Sequence, residues 1–419
     1  MSRWLSVTLI LVLAATGTAR GQHLLAPMDR GQSNHLRAYG LAYWVLARGA
    51  RVEWLLNYRA GSFLLPDAPE IRREAALRGV TVEPLAASRL AALRAEIDGS
   101  NMEAVILERA PRIAVYTPPG SRPWDDAVTL ALTYAGIEYD ELWDPEVLSG
   151  ELSRYDWLHL HHEDFTGQYS KFYLTYAGSA WLREEVARNR RVAAAFGLPD
   201  TPSLKKAVAL RIREYVDGGG FLFAMCTATE TIDLALAAQN VDIAASYADG
   251  DPIDANAGAR LDWDAALAFE GAVIFEDPAL SAFSDIDGHL VNTPIRQPLG
   301  TFRLFDFSAK IDPVATMLTQ SHERVIRDFY GLTTSYRRSR LKPSVIVLAE
   351  EPGAPWVKYL HGNYGDGTWT FLGGHDPEDP QHVVGDPPTD LDLYPHSPGY
   401  RLILNNVLFP AAKKKHLKT

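Results

Sequence analysis

Residues 221–225, Phe-Leu-Phe-Ala-Met, are apolar at every position and lie between Gly218-Gly219-Gly220 and the polar start Cys226-Thr-Ala-Thr-Glu230. Five residues without alternation are too short for a buried helix, and a run apolar on both faces suits a strand covered on both sides. Upstream, Leu204 to Val216 carries helical spacing, and the three glycines close it. The series predicts an interior strand of a layered α/β domain with Cys226 at its carboxyl end, where ligands of such sheets bind.

The alternation recurs along the chain. A helix over Asn34 to Ala47 precedes the strand-like Ala50 to Leu56, and a second helix starting near Pro69 and ending at Gly79 precedes Val80 to Leu85. After Pro111 come a strand at Ile113 to Tyr116, a helix over Asp125 to Ala135 ended by Gly136, and strands at Glu138 to Leu142 and Trp157 to Leu160. An excursion over Thr166 to Pro202 interrupts the series. Beyond Cys226 the pattern predicts a helix over Thr231 to Ala238, strands at Ala272 to Phe275, Ser344 to Leu348 and Trp369 to Leu372, and a closing helix from Gly399 to Phe409. Together these predict an α/β fold with a mostly parallel, doubly wound sheet and a smaller N-terminal α/β lobe. The expected units are 22–110 and 111–412, with an insertion at about 166–202 and a basic tail over 413–419.

Met1 to Arg3, the apolar Trp4 to Ala15 and the small residues before Gln22 read as an export signal over 1–21, which predicts a periplasmic or secreted protein. Its roughly 12 apolar residues are too few for a span of about 20, and no later stretch is long enough, so no transmembrane segment is expected after cleavage. The 419 residues carry 41 Lys+Arg against 52 Asp+Glu, a formal charge of −11 that disfavours a nucleic-acid partner. Cys226 is the only cysteine, which excludes an intramolecular disulfide. A lone thiol exposed to an oxidising compartment must be buried or useful.

Three constellations could carry chemistry. Cys226 stands where a buried strand turns into a helix, the geometry that exposes a nucleophile beside a helix N-terminus, with small Ala224 and Ala228 around it; packing as a small hydrophobe explains it equally. The densest polar cluster is His159, His161, His162, Glu163 and Asp164, in which His159 and His161 point to one side of a strand and suit a cation or a substrate carboxylate. Gly373-Gly374-His375-Asp376-Pro-Glu378-Asp379, followed by His382 and Asp386, is a second loop rich in acids and histidines, whose glycines let the backbone approach a ligand. A metal reading needs a third ligand such as His375 or Asp376 brought in by the fold, because no spacing matches a structural zinc motif. Asp249 to Asp254 lacks the spacing of a calcium loop. Aromatic residues near these loops, Trp124, Phe165, Tyr169, Phe172 and Tyr173, suit sugar or peptide stacking as well as a core.

From Ile113 to Phe409 the order of elements, the Gly-Gly-Phe strand before Cys226, the segment Gly367-Thr-Trp-Thr-Phe-Leu-Gly-Gly-His375 and the helix Tyr400 to Phe409 resemble the class I glutamine amidotransferase-like superfamily. That resemblance implies Cys226 as nucleophile, His375 as base, Glu378 as its orienting acid, and a loop from His162 to Gly167 supplying oxyanion-stabilising N–H groups. The whole chain also resembles an uncharacterised family of exported bacterial proteins often labelled asparagine synthetase B. The segments that carry this are Pro27-Met-Asp, Leu55-Leu-Asn-Tyr-Arg, Pro123-Trp-Asp-Asp, Asp156 to Gly167, Gly373 to Asp379 and Pro398-Gly-Tyr-Arg. The synthetase's N-terminal cysteine and Ser-Gly-Gly-x-Asp-Ser ATP loop are absent, so that activity is not expected. The expectation is an exported hydrolase acting on a small amide, peptide or cell-envelope fragment through Cys226 and His375. His159, His161, His162, Glu163, Asp164 and Asp376 would bind the substrate, with neither metal nor cofactor. The alternatives are a noncatalytic protein binding a carbohydrate or peptide, and a metal-dependent hydrolase using the histidine cluster.

Overall fold

The computed structural model describes residues 23–119, 126–280, 282–288, 301–312, 323–327, 329, 331–379 and 387–412. The expected export signal, Trp124, His382, Asp386 and the basic tail lie outside them. Among the described residues no helix is long and apolar enough to cross a membrane.

The chain builds two sheets. The first joins β1 (His23–Ala26), β2 (Val52–Leu56), β3 (Ser62–Pro66), β4 (Glu83–Leu85) and β5 (Glu103–Leu107) in the order β4-β1-β3-β2-β5. The second contains β6 (Ile113–Tyr116), β7 (Asp140–Leu142), β8 (Trp157–Leu160), β9 (Phe221–Met225), β10 (Phe302–Leu304), β11 (Val325–Ile326), β12 (Tyr336–Arg337), β13 (Ile346–Glu350), β14 (Trp356–Tyr364) and β15 (Gly367–Leu372). Its order is β11-β10-β13-β14-β15-β9-β8-β6-β7, with β12 on β14.

The expected mostly parallel, doubly wound sheet is corrected by the pairing pattern. Only β15-β9-β8-β6-β7 is parallel. Five of the nine pairings in this sheet are antiparallel, as are all four in the first sheet. The physical reason is the β14–β15 hairpin. Antiparallel strands can be joined by two residues, here Gly365 and Asp366 with Gly365 at φ +56°, whereas a parallel neighbour demands a long crossover. The turn at 363–367 is legible in the sequence, but its first arm, Trp356–Tyr364, is not predicted there as a strand. The strand expected at 272–275 is reduced to a single bridge between Ile274 and Ser284.

Helices α1 (His35–Ala47), α2 (Ala127–Ala135), α3 (Thr201–Asp217), α4 (Cys226–Ala237) and α5 (Pro398–Leu408) cover these strands. Side chains alternate along β9: Phe221, Phe223 and Met225 join a core with α1 and α5, whereas Leu222 and Ala224 pack with Leu204, Val208 and Ile212 of α3. Burial on both faces explains the unbroken apolar run, each large side chain contributing about 1.5–3 kcal/mol. The first core continues through Tyr39 to Trp54 and Phe63 of the first sheet, so the units expected at 22–110 and 111–412 share one interior. Arg401 joins them, donating to the carbonyl oxygens of Met28 (2.9 Å) and Ala60 and to the Tyr39 hydroxyl (3.1 Å).

Candidate functional site

Four parallel strands end side by side, so the residues that follow them meet. Leu160 of β8 pairs with Ala224 of β9, and Met225 pairs with Leu372 of β15, which places His161, Cys226 and Gly373 at neighbouring strand ends. Two backbone bonds lock the start of α4 between its neighbours: Cys226 N–H donates to Gly374 O at 3.2 Å, and Ala228 N–H to His161 O at 3.0 Å. From β6 the chain arrives at Asp126, whose carboxylate caps α2 through Val128 N–H (2.7 Å) and Thr129 N–H (3.2 Å).

Cys226 has φ +50°, a left-handed conformation that costs a non-glycine residue about 1–3 kcal/mol and that surrounding structure must enforce. The residue is 1% exposed. Burial alone would raise the thiol's pKa, but hydrogen bonding and charge from His162, with the Leu332 N–H and the Thr227 hydroxyl, leave it below its ordinary value. The imidazole that lowers it is that of His162, one strand away. His375 stands behind it, its Nε2 3.2 Å from the Nε2 of His162. The N–H group at the thiol comes from Leu332, outside the expected 162–167 loop.

His159 and His161 do share one side of β8, and what they converge on is the protein's own Asp126. Asp126 Oδ1 lies 3.0 Å from His161 Nδ1, and Oδ2 lies 3.3 Å from His159 Nε2. Burial opposes its ionisation, but the two imidazoles hold the Asp126 carboxyl well below the usual carboxylate range. A carbonyl can only accept, so His159 Nδ1, 3.0 Å from Phe223 O, carries a hydrogen. Burial pulls His161 down to about 3 and keeps it neutral, with Nδ1–H donating to the ionised Asp126. The rings of His161, His162 and His375 gather, with centroids 4.1, 4.6 and 4.7 Å apart.

The expected acids hold loops in place. Glu163, its carboxyl pushed up by burial, accepts the His161 N–H at 2.8 Å. Asp164 accepts Thr166 N–H and Ser170 N–H, both at 2.8 Å, and shapes the turn after β8. The carboxylate of Asp376 is filled by Glu378 N–H, Asp379 N–H, the Thr389 hydroxyl and the Tyr400 hydroxyl, so it anchors α5 to the Gly-Gly-His loop. Glu378 takes part in that turn through its backbone, and His162 has its imidazole partner in His375. The glycines before His375 admit protein backbone and not a ligand. A Cβ on Gly373 would stand 2.5 Å from Thr334 O, and one on Gly374 would overlap the carbonyl group of Phe329.

Four contributors escaped the sequence reading. Asp126 falls inside the helix predicted over 125–135, and Leu332 carries no signal at all. Lys358 is the only charge in the strand Trp356–Tyr364, a usable hint. It is fully buried, donates to the carbonyls of Phe329 (2.6 Å) and Thr334, and is drawn down to about 8 by burial. Glu230 lies four residues beyond Cys226 on α4, a spacing that puts both on one face. Burial pushes it up to about 7, and its carboxyl accepts from the Ser284 (2.6 Å) and Thr333 (3.2 Å) hydroxyls. A cavity of about 1120 Å³, lined among others by Asp156, Gly220, Phe221 and Thr368, opens at the opposite, amino-terminal ends of the parallel strands. The five residues of β9, about 16 Å of strand, separate it from the thiol.

No family model and no curated protein matches the chain. Among solved structures it is similar to Cytoplasmic Protein STM3548 from Salmonella typhimurium, at 12% identity over 72% of this chain and 100% of that one, with a TM-score of 0.35. It is also similar to Cytoplasmic Protein STM1381 from Salmonella typhimurium LT2, at 11% identity, 72% and 100% coverage and a TM-score of 0.33. Likeness at that level carries no argument about activity.

Proposed function

We propose that the protein is an exported hydrolase that cleaves a small amide, a peptide or a cell-envelope fragment through Cys226, and that it belongs with the exported bacterial family its segments resemble. The observation that carries the reading is the strained Cys226 at the first position of α4, its thiol bonded to His162, which is itself backed by His375. Strain at a thiol that could otherwise pack as a relaxed hydrophobe points to use.

In this reaction His162 holds the thiol proton while the sulfur attacks the carbonyl carbon, forming a C–S bond and moving the carbonyl electron pair onto oxygen. Collapse of the intermediate breaks the C–N bond, and His162 delivers its proton to the departing nitrogen. Water then attacks the thioester, giving one proton to His162 and its hydroxyl to the acyl carbon, and the sulfur leaves as thiolate. Lys358 places a buried positive charge near the sulfur and steadies the loop that offers the Leu332 N–H. His162 and His375 form the half-buried edge of the cluster, the side from which a substrate would have to approach the thiol.

Iodoacetamide at neutral pH supplies the test, combined with a panel of simple amides, short peptides and muropeptides. Alkylation of Cys226 in the folded protein should abolish whatever hydrolysis the panel reveals, and Cys226→Ala should lack it from the start. Hydrolysis that survives in Cys226→Ala, or a thiol inert in native protein but labelled after unfolding, would overturn the assignment.

A further inference from the structure

We propose that His161, His162 and His375 form a site for one divalent transition-metal ion of the zinc type, and that the bound ion withholds His162 from the thiol. One ring nitrogen from each residue lies within 4.8 Å of the other two. The Nε2 atoms of His162 and His375 are 3.2 Å apart. Two nitrogens each about 2.0–2.1 Å from a tetrahedral zinc ion are separated by about 3.3 Å, so this pair already spans one edge of the coordination polyhedron.

His161 provides the independent observation. Its Nδ1 faces an Asp126 carboxylate oxygen at 3.0 Å, and a carboxylate accepts, so Nδ1 carries the hydrogen and Nε2 the lone pair. That Nε2 is buried and has no hydrogen-bond partner among the described residues, although His161 is 1% exposed. A buried lone pair beside two further imidazoles, on a ring oriented by a carboxylate, is the arrangement in which metal-binding histidines are held. Asp126 is itself fixed by the α2 cap and by His159, so the orientation of His161 is built into the fold. Imidazole ligands suit zinc, copper and nickel, and three of them leave a fourth position for water or another small ligand. The ligand set stands without any thiol chemistry. Only the effect on Cys226 rests on the hydrolase reading: an ion that takes the His162 lone pair removes the proton acceptor.

The test uses the full chain, stripped with a chelator and dialysed against Zn²⁺, with metal counted per chain and Co²⁺ titrated as a spectroscopic probe. One ion per chain is expected, with Co²⁺ giving the visible bands of a four-coordinate site. Asp126→Asn should weaken binding by about 10–100-fold, and His161→Ala by at least as much, with unchanged far-ultraviolet circular dichroism. No stoichiometric uptake, or uptake that neither His161→Ala nor His375→Ala weakens, would overturn the site. Should both variants fail to fold, a wild-type Co²⁺ spectrum without four-coordinate bands overturns it alone. Zn²⁺ should slow iodoacetamide labelling of wild-type protein at least tenfold, and equal rates would overturn the coupling. Labelling of the stripped protein separately tests the hydrolase reading, so the two can fail independently.

Discussion

Gly374→Ala probes the joint on which the site is assembled. Gly374 has φ +90°, and an added Cβ would overlap the carbonyl group of Phe329 and stand 3.0 Å from Lys358 Nζ. The left-handed backbone costs an alanine about 1–2 kcal/mol. Forcing the Phe329 carbonyl away adds about 1–3 kcal/mol of overpacking and strains the bond that Lys358 donates to it at 2.6 Å. The total is about 2–5 kcal/mol. Gly49→Ala is the internal control, because Gly49 has φ +78° with nothing within 4 Å of the added Cβ, so only the backbone contribution of about 1–2 kcal/mol applies. Urea unfolding followed by tryptophan fluorescence, at a common slope, gives the difference between the two variants. Gly374→Ala should lose at least about 1 kcal/mol more than Gly49→Ala. Because the Gly374 carbonyl accepts the Cys226 N–H at 3.2 Å, the thiol's alkylation rate should change as well. Equal losses in the two variants would refute the close approach of the Gly-Gly-His loop to Phe329.

Two further outcomes follow from buried polar groups. Glu230 has its carboxyl pushed from 4.5 to about 7 by burial, so the folded state holds its proton more tightly than the unfolded chain. The stability this contributes is complete below about pH 4.5 and is lost as pH rises to about 7, on the order of 3 kcal/mol in all. Glu230→Gln should therefore gain stability relative to wild type between pH 5 and pH 8 by roughly that amount, and a pH-independent difference in urea midpoints would contradict it. Arg401→Ala should cost at least about 3 kcal/mol, because it strands the acceptors of Met28, Ala60 and Tyr39, and Arg401→Lys should recover only part of that, since an ammonium cannot reproduce the planar fork. Full recovery by lysine in thermal unfolding would count against the geometric role.

Local chemistry made much of this protein legible in its sequence. The apolar Phe221 to Met225 forms the interior strand, the Gly218 stop closes α3, and Cys226 opens a helix, because burial on both faces, a chain break and a strand-to-helix turn all act over a few neighbouring residues. The same holds for the pairing of His159 with His161 on one side of β8, which the period of two dictates. Strand direction in the rest of the sheet was not legible. Trp356–Tyr364 alternates poorly and holds a buried lysine, and only its hairpin partner reveals it as the strand that turns the sheet antiparallel.

The sequence by itself determined where the thiol and the imidazoles lie along the chain and that strand ends present them. Only the tertiary structure decided which of them touch. His162 meets Cys226 and His375 across 64 and 213 positions of sequence, and Asp126 reaches His161 across 35, through the side-by-side ends of β6, β8, β9 and β15. Periodicity specifies the face on which a residue lies, whereas partners so distant in sequence are selected by strand order and register, which depend on the packing of the whole chain.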